Sequence, residues 1–220
     1  MLIIAIDGAC RRNGKPDCVA AGGVFVMQLD SNLQMQNSML LSNYEVGSTN
    51  QRGELLALLT ALDHVIAAKQ PAQIITDSEY LFNTMTKEWY HNWSCKGWVT
   101  SCGEDVKNKD IWLEIMQAYA LCSDVTFYHI KGHCIPFGKV TALKLLEDDP
   151  SGMKLYRSVL VKYDSVKDTK QDIFEQVNEL SIKNNGFVLT PTILKRFVVT
   201  NTVADAVATK CVETADALMK

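Results

Sequence analysis

Three acids stand out by where they fall along the chain. Asp7 follows the apolar run Leu2–Ile6, and Asp77 follows a second short run, Gln73–Thr76. Glu54 lies in a helical pattern one turn before Leu58. Taken singly, a strand-end Asp is commonly turn chemistry and a helical Glu is commonly solvated. Together they converge if the two strands are neighbours and the helix packs on them. At ~4 Å and an effective dielectric of 20, each carboxylate pair repels by ~4 kcal/mol. Such a cluster needs protons or divalent ions to neutralise it. Oxygen ligands without accompanying Cys or His pairs favour Mg²⁺ or Mn²⁺ over zinc. The chemistry that uses this arrangement is two-metal phosphoester hydrolysis, one ion generating hydroxide and the other holding the leaving oxygen.

The elements that would position these acids are legible in outline. Leu2–Asp7, Ala21–Leu29 and Leu33–Leu41 read as strands, the last two joined by a turn at Asp30, Ser31 and Asn32, which suggests an antiparallel meander. Ser48–Ala68 is helical, with Leu55, Leu58, Leu59, Leu62, Val65 and Ile66 at spacings of three and four and Ser48 or Thr49 as cap. Pro71 ends it, and Gln73–Asp77 follows as a strand. A strand, helix, strand order implies a crossover, so this strand should run parallel to one of the first three. Helical patterns at Ser78–Met85 and Asp110–Leu121 flank the Trp-rich segment Trp89–Trp98, and Val125–Ile130 alternates as a last strand. The fold class is α/β, with a mixed five-stranded sheet flanked by helices. Residues 139–200 read as helical or irregular, with breakers at Pro150–Gly152, Asn184–Gly186 and Pro191, and a final helix runs from Thr202 to about Met219. The run Glu147-Asp148-Asp149 reads as a solvated loop, and His64 and His91 as surface or packing residues.

In this frame a set of motifs becomes recognisable. Asp7-Gly8 with Asn13-Gly14, Thr49-Asn50-Gln51-Arg52-Gly53-Glu54, Thr76-Asp77-Ser78, His129-Ile130-Lys131-Gly132-His133 and Asn201-x-x-x-Asp205 resemble, in order, the type 1 ribonuclease H family. Trp89–Trp98 and Val106–Asp110 are similar to that family's handle region. The resemblance covers 1–138 and 201–220, a ribonuclease H-like domain, and leaves 139–200 as a helical insertion. It implies metal ligation by Asp7, Glu54, Asp77 and Asp205, with two Mg²⁺ (or Mn²⁺) ions per site. It implies an RNA/DNA hybrid as substrate, with cleavage of the RNA strand leaving a 5′-phosphate and a 3′-hydroxyl. His133 matches a loop histidine that assists proton transfer or product departure. Asn13, Asn50 and Gln51 match residues that reach the hybrid's minor groove, where amides meet 2′-hydroxyls and base edges. Thr49 and Asn108 match a pocket for a DNA phosphate, and Tyr80, Trp89 and Trp93 match an aromatic channel along the DNA strand.

Composition sets the limits on this reading. The chain has 220 residues, 47% hydrophobic and 21% charged, which excludes a disordered tail protein. No apolar run approaches the roughly 20 residues a membrane span needs, and Met1–Ile6 lacks the basic flank of a signal peptide. Seven cysteines without a C-x-x-C pair suggest free thiols in a reducing cytoplasm. The net charge of −3 lacks the basic signature of a nucleic-acid binder. Glu79 stands where the family often has an amide, and Val99, Gly103 and Glu104 stand where handles often carry Lys, leaving Lys96, Lys107 and Lys109. Residues 139–200, with ten basic and eight acidic side chains, are locally +2 against −5 for the rest. Their cations Lys162, Lys167, Lys170, Lys195 and Arg196 either face phosphates or sit on helices that only cover the sheet; this segment is also where a replication partner would dock on an otherwise monomeric protein. Apolar Leu155, Val159, Leu160, Phe174, Val177, Leu180, Leu194 and Phe197 suggest that those helices pack together. Fold-mates such as exonucleases and integrases place their second and last acids differently and lack the Gly-His loop. A non-catalytic hybrid-binding or replication-accessory module is the rival from another class; it would be expected to have lost an acid, and all four are present. A plain structural domain does not explain the order of the motifs.

Overall fold

Strands β1 (Leu2–Arg11), β2 (Val19–Leu29) and β3 (Met35–Val46) form the antiparallel meander. Helix α1 (Asn50–Ala68) carries the chain across to β4 (Ala72–Thr76), which pairs parallel to β1. Helices α2 (Glu79–Thr86), α3 (Trp89–Cys95) and α4 (Lys109–Leu121) precede β5 (Val125–His129), parallel to β4. The sheet order is β3-β2-β1-β4-β5, the mixed five-stranded sheet expected from the sequence. Among the described residues three more helices follow: α5 (Lys139–Glu147), α6 (Met153–Ser165) and α7 (Pro191–Leu218). This computed structural model describes residues 1–166 and 190–219. Phe174, Val177, Leu180, Lys167, Lys170 and the breaker at Asn184–Gly186 lie outside the described residues. Among those described, no helix is long and apolar enough to cross a membrane.

Two apolar layers form, one on each sheet face, because successive strand residues point to opposite sides. Leu2, Ile4 and Ile6 of β1 pack with Leu55, Leu58 and Leu62 of α1 and Trp112 and Ile115 of α4. Ile3 and Ala5 face the other way, onto Leu155 and Val159 of α6 and Leu194, Phe197 and Val203 of α7. Adjacent glycines on β2 let both layers close in. A Cβ at Gly22 would sit 2.3 Å from the Ala57 nitrogen of α1, and one at Gly23 would sit 2.3 Å from the Ala204 oxygen of α7.

Three local readings change. β1 continues past Asp7 to Arg11, so Asp7 is a mid-strand residue opposite Gly23 and not a strand end. The last helix starts at Pro191, eleven residues before Thr202. Proline at the first helical position loses no hydrogen bond, since that N–H has no intrahelical acceptor, so Pro191 opens the helix that it was expected to break. Thr190 caps it, accepting from the Ile193 N–H at 3.3 Å. Asp149 is buried at 6% exposure, not solvated. Its Oδ2 accepts from the N–H groups of Lys154 (2.6 Å) and Leu155 (3.1 Å), tying down the first turn of α6. Burial pushes its pKa up, but the hydrogen bonds from Leu155, Ser151 and Lys154 outweigh this and hold it below the ordinary value. Glu147 and Asp148 remain exposed, paired with Lys210 and Lys154.

Candidate active site

β1 and β4 are paired only from Leu2–Ala5 to Ala72–Ile75. Beyond that register they part, and Asp7 and Asp77 stand at the opening. Glu54 arrives from the first full turn of α1, over Gly8. A Cβ on Gly8 would lie 2.6 Å from the Glu54 nitrogen and 2.9 Å from its Cγ, so only glycine permits this approach. One carboxylate oxygen from each of Asp7, Glu54 and Asp77 falls within 4.8 Å of the others. Asp205 comes from the middle of α7 on the opposite layer, and its Oδ2 lies 3.8 Å from Nδ1 of His133. His133 is 81% exposed and sits in the loop after β5 at a φ of 54°, in the left-handed region.

The electrostatics are those of acids forced together. Burial raises the Asp7 pKa well above the ordinary value, and Glu54, Asp77 and Asp205 push it the same way. Burial, then Asp77, lifts Glu54 to about 8. Burial also raises Asp77 and Asp205, against the pull of His133 on each. Oδ1 of Asp7 accepts from the Gly8 N–H at 2.7 Å. Oδ2 of Asp7 and Oε2 of Glu54 are buried with no hydrogen-bond donor. Buried carboxylate oxygens seldom go unpartnered. A hard divalent cation is the partner that suits an all-oxygen donor set, so these residues fit one.

Five of the eight expected substrate residues group around the N-terminus of α1. Asn13 and Asn50 are exposed, and the Asn13 Oδ1 accepts from the Asn50 N–H at 3.4 Å. Thr49 caps α1 by accepting from the Arg52 N–H, which leaves its hydroxyl proton free to donate. Asn108 donates through Nδ2 to the Gln51 Oε1 at 3.4 Å. Tyr80 stacks on Trp93 with centroids 6.4 Å apart, and its hydroxyl accepts from Nε1 of Trp112. Trp89 is not one of the rings in that stack; Lys87 Nζ lies 5.8 Å from its centroid.

The RNase H family model matches residues 1–139. The chain belongs to the ribonuclease H family. The ribonuclease H of Prosthecochloris aestuarii is 36% identical over 134 residues, which are 60% of this chain and 83% of that one. The ribonuclease H of Chlorobium limicola is 35% identical over 132 residues, 59% and 82% of the two chains. Among solved structures, LC9-RNase H1, described as a type 1 RNase H with the type 2 active-site motif, is similar with a TM-score of 0.52 and 25% identity, covering 60% of this chain and 64% of that one. The PFV RNase H domain has a TM-score of 0.51 at 23% identity, covering 70% and 94%, a likeness of fold.

Two further residues of this ribonuclease H had no assigned role. Asn201 is 3% exposed and hydrogen-bonds the Asp77 carboxylate, drawing its pKa down. The signal was its spacing: four residues before Asp205, it must share that helix face. Arg52 pairs with Glu45 of β3 and forks onto both carboxylate oxygens of Asp110 on α4, Nη1 to Oδ1 at 2.8 Å. It thereby fixes the α1–α4 spacing across which Gln51 and Asn108 meet. Nothing in the local sequence marks that bridge, because its partners are 7 and 58 residues away.

Proposed function

We propose that this ribonuclease H is a metal-dependent endonuclease that hydrolyses the RNA strand of RNA/DNA hybrids, leaving a 5′-phosphate and a 3′-hydroxyl. The observation that carries the reading is the convergence of Asp7, Glu54 and Asp77 within 4.8 Å, with oxygens of the first two buried and unpartnered. Asp7, Glu54, Asp77 and Asp205 would hold two Mg²⁺ ions, which activate water and stabilise the departing oxygen. Asn201 orients Asp77 through its side-chain hydrogen bond. His133, exposed and facing Asp205, takes up or delivers a proton at its ring nitrogen, or helps product leave. Asn13, Asn50 and Gln51 offer amides to 2′-hydroxyls and base edges. Thr49 and Asn108 hold a phosphate of the DNA strand, and Tyr80 and Trp93 give its sugars a flat wall. An odd number of cysteines without a C-x-x-C pair supports a reducing compartment such as the cytoplasm.

The test is cleavage of an end-labelled RNA/DNA hybrid with Mg²⁺, with Mn²⁺ and with a chelator. RNA-strand fragments carrying 5′-phosphates, formed only with metal, are the expected result. Cleavage of the DNA strand, or an intact hybrid with either metal, would overturn the reading.

A further inference from the structure

Cys10 lies near the end of β1, and Cys18 closes the loop that returns as β2. Ala20 is the cross-strand partner of Cys10, and Cys18 lies two residues before it. Period-two alternation therefore puts both thiols on one sheet face as diagonal neighbours. Their sulfurs are 2.6 Å apart, closer than the roughly 3.5–4.0 Å at which non-bonded heavy atoms pack best. The loop between them is braced at both ends. Within it, Lys15 N–H donates to the Arg12 carbonyl and Cys18 N–H to the Lys15 carbonyl, each at 3.0 Å. The Arg12 guanidinium also holds the Asp17 carbonyl at 2.8 Å and reaches out of the loop to pair with buried Asp216 of α7. Cys10 is half-buried and Cys18 fully buried, so a reagent from solvent meets Cys10 first. The Cys10 thiol also lies 3.8 Å from the Asn13 Oδ1.

We propose that Cys10 and Cys18 are a modification site, a dithiol that a low-molecular-weight disulfide converts to an intramolecular bridge beneath the Asn13 loop. The Cys10 thiolate attacks one sulfur of the reagent, forming a mixed disulfide and releasing one small thiol. Cys18, already in contact, gives up its proton and attacks the Cys10 sulfur, releasing the second. Two electrons and two protons pass from the protein to the reagent, which leaves as two thiols. The first step is the slow one: burial and the Cys18 neighbour push the Cys10 pKa up to about 12, so thiolate is scarce at neutral pH. The second is intramolecular and gains from proximity. Bridging removes the Cys10 S–H from Asn13 and ties the loop that carries it. This consequence rests on the role proposed above for Asn13 at the minor groove.

The full chain is incubated with oxidised glutathione in mildly alkaline buffer, alkylated and digested with trypsin. Cleavage after Arg11 and Arg12 separates Cys10 from Cys18, so a bridge appears as two joined peptides, lighter by two hydrogens and released by dithiothreitol. The Cys18→Ser variant should instead retain glutathione on Cys10, and Cys10→Ser should leave Cys18 free to alkylate. A wild-type Cys10 that keeps its glutathione while Cys18 alkylates would overturn the pairing, as would both thiols unmodified when the exposed Cys95 and Cys102 are fully converted. Steady-state cleavage then compares bridged and reduced protein: a severalfold higher KM at unchanged kcat is expected, reversed by reduction. Equal KM values would overturn the link to Asn13. The peptide readout needs no nuclease activity, so failure of the nuclease reading is separable from failure of the pairing.

Discussion

The two faces of the sheet are covered by different kinds of chain. Under α1 and α4, the covering helices lie within residues 1–139, the part that matches the ribonuclease H family. Under α5, α6 and α7 they lie beyond it, and yet Phe197 and Leu194 are as buried as Leu58 and Leu62. The acid cluster straddles that divide. Asp7 and Asp77 stand on the sheet, Glu54 comes from the first layer, and Asp205 comes from the second. Neighbouring Gly22 and Gly23 bring both helices to van der Waals limits on opposite sides of one strand. The candidate centre thus draws one acid from a helix inside the family match and one from a helix beyond it.

The sharpest break of this comparison is at the shared residue. Asp7→Asn should lower hybrid cleavage by at least ~100-fold, because it removes a ligand charge common to the proposed ions. Its melting temperature in chelator should rise, since one repelling carboxylate is gone; retained cleavage would refute the assignment. Next, the two layers can be weighed against each other. Phe197→Ala should cost about 3–5 kcal/mol and Leu58→Ala about 2–5 kcal/mol in denaturant unfolding. A Phe197→Ala loss below ~1 kcal/mol would mean that the second layer is peripheral, contrary to its burial.

The third prediction concerns pH. Glu54 is raised in the folded state from 4.5 to about 8, so the folded protein binds the proton more tightly than the unfolded chain. The resulting stabilisation is complete below 4.5 and is lost as pH rises through about 8, an effect on the order of a few kcal/mol. Melting temperature in chelator should fall across that window, and Mg²⁺ should restore it at the alkaline end. A flat profile would show that the carboxylates do not share a desolvated site. A smaller effect is expected at Asp149→Ala, about 1–2 kcal/mol from the lost helix cap, read as a lower denaturant midpoint. Last, His133→Ala should slow turnover by less than the ~10²-fold of a fully engaged general acid or base, since it is exposed and 3.8 Å from Asp205. Unchanged steady-state and single-turnover rates would make it a bystander.

The first layer was legible because its signals are local. The α1 apolar spacing, the Thr49 cap and the crossover to β4 follow from short-range pattern, whereas the nearness of the three acids followed only on condition that β1 and β4 are neighbours with α1 packed on them. Where β1 ends was not legible: Gly8, poor in strand propensity, masks a strand continued for the sake of Glu54's approach. The second layer was harder to read. Pro191 gives the same punctuation whether it breaks a helix or opens one, and the choice is made by Leu194 and Phe197 finding the sheet. Asp149 looks like any acid in a charged run until α6 is there to be capped. The thiol contact of Cys10 and Cys18 depends on the strand register, which the sequence leaves open.

Helix α7 has one more implication, for how the gene can change length. Its 28 residues form one rod of ~42 Å. Asp205 lies near its middle, and Asp216 near its end holds Arg11 and Arg12. Each residue added or removed between Leu194 and Asn201 turns everything beyond it by ~100°. A single-codon deletion there would swing Asn201 and Asp205 off the strand opening and Asp216 off the Asn13 loop together, and even seven inserted codons, which return the phase to within ~20°, would slide Leu194 and Phe197 ~10 Å along the axis away from their places on the sheet. Indels should therefore be scarce in this stretch, while substitutions on its outer face drift freely.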